Sequence, residues 1–182
     1  MREFASPATR AAALPRPVKA LYTAFCALTV AGLLSCAGLY DGIVRFSAHA
    51  TPAQLYAQLV GYYQPGAAPA AAPGEAAPAP RMSARKLLEV THFHLFSMPI
   101  YLLVLGHLFL LTGVGARAKM GWICASGAAT VLHLLAPWCV YFAGSALAWL
   151  YPISGAALLA SFAVLMGVPL YEMWHSPPIG LR

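Results

Sequence analysis

The sequence predicts an all-α, polytopic membrane protein: a four-helix transmembrane bundle with both termini in the cytoplasm. Three observations lead there. Of its 182 residues, 60% are hydrophobic and only 9% charged, with a mean hydropathy of +0.70; soluble domains carry about 25% charged residues. Four apolar stretches, at about 18–40, 87–112, 120–142 and 150–173, each supply the roughly 20 residues needed to cross a hydrocarbon core. The basic residues are divided unevenly: Arg2, Arg10, Arg16, Lys19, Arg117, Lys119 and Arg182 fall on one side, against Arg45, Arg81, Arg85 and Lys86 on the other. The richer side is the cytoplasmic one.

These spans leave little chain for a separate globular unit, so residues 1–182 read as a single membrane domain in contact with the lipid bilayer. A bacterial cytoplasmic (inner) membrane suits this pattern. The net charge of +6 belongs to the span flanks. No basic patch interleaved with aromatics points to nucleic acid.

The first span follows a basic leader containing prolines and is expected to act as a signal anchor. Within it, Leu33-Leu34-Ser35-Cys36 resembles a bacterial lipobox, whose processing makes the cysteine a lipidated N-terminus. The apolar run continues past that point to Tyr40, which favours the anchor.

The outer connection, 41–86, has two parts. Thr51-Pro52 is a helix start signal, and Leu55, Leu59 and Tyr62 recur at helical spacing. A short helix ending near Gly61 is predicted, lying on the membrane surface or capping the bundle. Residues 65–80 form an Ala/Pro/Gly tract with Glu75 as its one charge, predicted to be an extended linker.

Spans two, three and four are joined by short connections and must run antiparallel to their neighbours. Gly121, Ala125 and Ala129, and Ala156 and Ala160, form rows of small residues expected at helix interfaces. Cys26, Cys36, Cys124 and Cys139 show neither zinc spacing nor the C-x-x-C-H of a covalently attached haem. A Cys36–Cys139 disulfide near the outer surface is left open.

The chemistry concentrates in span two, which carries Glu89, His92, His94 and His107, while span three adds His133. Ionisable groups at membrane depth are disfavoured, by about 2.5–3.5 kcal/mol for Asp, Arg or Lys at mid-depth. They persist where they pair, line a wet cavity or bind something. At 1.5 Å rise per residue, His94 lies about 10 Å, and His133 about 14 Å, inside the outer ends of their spans. The two imidazoles can therefore face each other at similar depth. A haem iron takes axial ligands from opposite sides of a planar ring, and two helices of a bundle can supply them. Pro137 frees the carbonyl of His133 and Pro99 that of Leu95, so helix distortions are expected beside both histidines.

His92 and His94 point about 200° apart around the helix, so they do not share one iron. Glu89 and His92 share a face. They form a candidate transition-metal site, to which His49 can add, or a pair in which the carboxylate fixes the imidazole tautomer. His107 lies near the inner end of its span. A second haem site there requires Met166 or His175 as its partner.

The histidines paired across neighbouring, short-looped spans resemble those of small b-type membrane cytochromes, with His94 and His133 in the place of axial ligands. Span three has one histidine and span four none at its centre, which departs from the two-ligands-per-helix pattern of di-haem bundles. The resemblance implies haem b, transmembrane or quinone-linked electron transfer, and a membrane or periplasmic redox partner. An electron-transfer or accessory subunit fits better than a stand-alone enzyme. The alternatives are a copper, zinc or iron protein using Glu89 and His92, and a structural or assembly subunit whose histidines only satisfy the bundle. No P-loop, dinucleotide fingerprint or Ser/His/Asp set is present.

Overall fold

A computed structural model describes residues 10–44, 51–64 and 82–176. The linker 65–80, His49 and the basic residues Arg2, Arg45, Arg81 and Arg182 lie outside them. The described residues form five α-helices with no strand: α1 (Arg16–Val44), α2 (Pro52–Tyr63), α3 (Ala84–Leu110), α4 (Ala116–Ala143) and α5 (Leu150–His175). Short 3-10 turns at Ala11–Ala13 and Ser145–Leu147 complete the set. The protein is a multi-pass membrane protein, with α1, α3, α4 and α5 each long and apolar enough to span the bilayer.

α5 is the central helix. Its buried residues Ser154, Leu158, Ser161, Phe162, Leu165, Pro169 and Met173 recur every three or four positions and form one stripe. That stripe packs most extensively on α4 and also on α3. The α1 span is the least enclosed, 11% buried against 39% for the last span. It joins the core mainly through Cys26 and Thr29, so it is a peripheral helix that meets lipid on most of its surface. The helix continues unbroken through Cys36. Cys36 and Cys139 are free thiols, so the disulfide left open by the sequence is not formed.

Packing within lipid relies on close approach rather than on escape from water. The small residues that achieve it are not the predicted rows. Gly121, Ala125, Ala156 and Ala160 are exposed, and only Ala129 of those rows is buried. Instead, a Cβ on Gly106 would lie 3.9 Å from Ile123, and one on Gly127 3.7 Å from Leu102. These contacts and the Trp138–Thr91 hydrogen bond set one register for the α3/α4 pair, each step along α3 matched by one step back along α4. Spacing alone could not distinguish a lipid-facing row from an interface row, because both are equally apolar.

The helix ends are closed by side chains. Ser83 caps α3 by accepting from Lys86 N. Thr51 and Gln54 form a reciprocal capping box at the start of α2. Lys119 donates to the carbonyls of Leu110 and Thr112, both at 2.8 Å, satisfying orphan acceptors at the end of α3. α3 stops at Leu110, two residues before the predicted 112, because the Thr112 amide turns back to Phe109 O and the Gly113 amide leaves the helix for Glu172. Gly144 ends α4 at φ 81° and ψ −163°, a region essentially confined to glycine.

α2 caps the bundle, which resolves the choice left by the sequence. Leu59, Val60 and Tyr63 are buried against Leu87, Val140 and Ala148 in a second small core above the membrane-spanning one. Tyr56 donates to the Ser145 carbonyl, fastening the cap to the α4–α5 connection.

Candidate functional site

His94 and His133 lie in the half of the bundle nearer α2. His94 is half-buried on α3, and its Nδ1 stands 2.7 Å from the carbonyl oxygen of Val90, one turn back. A carbonyl only accepts, so Nδ1 carries the proton and donates it. In the neutral ring Nε2 then holds an in-plane lone pair.

His133 reaches the same state by a different route. Its Nδ1 is 3.0 Å from Ser154 Oγ on α5, and that hydroxyl donates to the Tyr151 carbonyl, also at 3.0 Å. With its hydrogen committed there, Ser154 accepts from His133 Nδ1–H, which again leaves Nε2 as the lone-pair nitrogen. Ser154 is fully buried, so this bond is shielded from competing water. Gly155 makes the approach possible: a Cβ there would lie 3.3 Å from His133 Cε1. The Tyr151 ring packs on His133 with centroids 4.9 Å apart, and Tyr63 of α2 packs on Tyr151 at 5.5 Å. Burial, and then the Tyr151 phenol, push the neighbouring Tyr62 phenol above its ordinary range. The roof is therefore aromatic and uncharged.

The α3/α4 register puts His133 level with Phe96, two residues below His94. That is an offset of ~3 Å along the bundle. Trp138 Nε1 donates to Thr91 Oγ1 at 2.9 Å, tying α4 to α3 one turn nearer α2 than His94.

The other candidates are dispersed. Glu89 is half-exposed and ion-pairs with Arg85 at 3.5 Å and Lys86 at 3.4 Å. His92 is exposed, with its ring against Phe96 at 5.0 Å, and no hydrogen bond joins it to Glu89. Among the described residues, no group of three or more His, Cys, Asp or Glu is arranged to hold a metal ion. His107 sits on the exposed side of α3, while Met166 is buried in the core and His175 stacks on Tyr171.

Sequence reasoning missed the groups that set His133, namely Tyr151, Ser154 and Gly155. The available signal was a Ser-Gly pair interrupting the apolar fourth span. A hydroxyl without side-chain neighbours in sequence does not announce its partner on another helix.

No curated protein and no solved structure matches the chain. The comparisons show no resemblance to cytochromes. Residues 56–179, most of the capping helix α2 and the whole of α3, α4 and α5, match the family model Aq_1264_TM, a transmembrane helical domain, and the chain belongs to that family.

Proposed function

We propose that the protein is a b-type haem protein of the bacterial inner membrane, an electron-transfer subunit in which His94 and His133 hold haem b between α3 and α4. The observation that carries this reading is the common state of the two imidazoles. Each has its Nδ1–H fixed by an acceptor, each keeps Nε2 as a donor lone pair, and they differ in height by only ~3 Å. Axial ligation of haem iron uses this form of histidine, and the Nδ1 hydrogen bond orients the ring and raises its basicity. Two neutral imidazoles with Nε2 lone pairs are a donor set that haem iron takes. When bound, haem b supplies a one-electron couple.

The chain's own residues do the rest. Val90 O and Ser154 Oγ hold the two rings in one tautomer. Tyr151, and Tyr63 at 5% exposure, keep water from His133. The position beneath α2 favours a redox partner on the outer side, with both termini in the cytoplasm. The Glu89/His92 metal reading is less favoured, because the carboxylate is engaged by two cations and His92 turns outward. His107 has no role in this proposal.

The test is a reduced-minus-oxidised spectrum, with metal analysis, on protein purified in mild detergent. A haem α-band is expected in the wild type, absent in both His94→Ala and His133→Ala, and retained in His107→Ala. A folded protein without that band overturns the proposal. Stoichiometric copper, zinc or iron lost on His92→Ala replaces it with the metal reading.

A further inference from the structure

At the opposite end of the bundle, ~27 Å along α5 from Ser154, lies a cavity of about 560 Å3 whose lining includes Arg10, Ala12, Gly113, Gly167, Tyr171 and Glu172. Its walls are mostly apolar, and it opens where the spans end, at head-group depth. We propose that this cavity binds a membrane phospholipid whose head group carries a primary ammonium beside its phosphate, as phosphoethanolamine does.

Charge complementarity identifies the occupant. Arg10 is half-buried against the cavity, and its guanidinium has neither ion pair nor hydrogen bond. Such a fork suits a phosphate. Glu172 faces the same space, held in place by the Gly113 amide at 2.8 and 2.9 Å from its two oxygens. One N–H leaves most of the carboxylate's roughly four lone-pair sites available to an ammonium. Lys19, the other nearby cation, donates instead to the carbonyls of Ala12 and Met173. Among the described residues the cavity thus presents one cation without an ion pair and one accessible anion, the mirror of a zwitterionic head group. An anionic lipid would satisfy Arg10 through its phosphate but leave Glu172 without an ammonium partner. A volume of this size accommodates a head group with its glycerol and the start of its acyl chains.

The experiment is native mass spectrometry of the delipidated full chain. Phosphatidylethanolamine, phosphatidylcholine and phosphatidylglycerol of identical acyl chains are titrated in turn. Phosphatidylethanolamine is expected to be retained about tenfold more strongly than phosphatidylglycerol, the scale of one charge-assisted hydrogen bond. Arg10→Ala lowers retention of all three lipids, and Glu172→Gln removes the preference for the primary ammonium. Should Glu172→Gln fail to fold, Gly167→Phe provides an independent arm. Gly167 lines the cavity and a Cβ there meets nothing within 4 Å, so the added ring takes up lining space without replacing either charged residue, and retention is expected to fall for every lipid. Equal retention of phosphatidylethanolamine and phosphatidylglycerol by the wild type overturns the proposal. So does undiminished phosphatidylethanolamine retention by both Arg10→Ala and Gly167→Phe.

Discussion

His133 is held by three consecutive needs: a proton on Nδ1, an acceptor for it, and room for the ring. Ser154 meets the second only because its own hydrogen goes to Tyr151 O, and Gly155 meets the third by lacking a Cβ. Replacing Ser154 with Ala leaves a buried N–H unpaired, which costs about 1–3 kcal/mol. Ser154→Ala should therefore melt at a lower temperature than wild type. Under the haem proposal it should also hold haem about 10- to 100-fold more weakly, read as α-band intensity during detergent dialysis. Ser161→Ala is the matched control, because that hydroxyl only bonds back to Ala157 O on its own helix. Similar losses in both variants would show that His133 does not depend on Ser154.

Among the elements, α2 differs from the rest because water drives its packing. It is a 12-residue amphipathic helix whose stability comes from its capping box and from the Leu59, Val60 and Tyr63 face. Isolated helices of that length are marginal. Thr51→Ala removes the cap at a cost of about 1 kcal/mol. Amide hydrogen exchange should accelerate about fivefold in α2 (that energy expressed as a rate ratio) and stay unchanged in α3, α4 and α5. Unchanged exchange in α2 would mean that tertiary contacts alone hold it. The start of α2 was legible because Thr51-Pro52 is a local signal. That it caps the bundle rather than lying on the membrane surface was not, since Leu87 and the Val140–Ala148 region come from parts of the chain distant from α2.

For the whole molecule, the central prediction concerns topology. Arg10, Arg16, Lys19, Arg117 and Lys119 gather at one end of the bundle, with Arg85 and Lys86 near the other. With both termini in the cytoplasm, a fluorescent protein that matures only there should fluoresce when fused after Arg182. A protease site inserted within residues 65–80 should be cut from the outer side in intact spheroplasts. The reverse pattern would invert the bundle and move the proposed redox partner to the cytoplasm.

Apolar length determined the spans on its own. A helix in lipid must satisfy its backbone internally, so about 20 apolar residues specify the element whatever surrounds it. The similar depth of His94 and His133 was likewise legible, because rise per residue and antiparallel order are properties of chain connectivity. What only the tertiary structure decided is which face of each helix turns inward. α3, α4 and α5 are apolar all round, so their sequences carry little amphipathic signal to orient them, and Gly121 is as plausible an interface residue as Gly127. Packing chose Gly106, Gly127 and Gly155. In doing so it brought Ser154 under His133, turned His92 outward, and closed Arg10, Gly113 and Glu172 around one cavity.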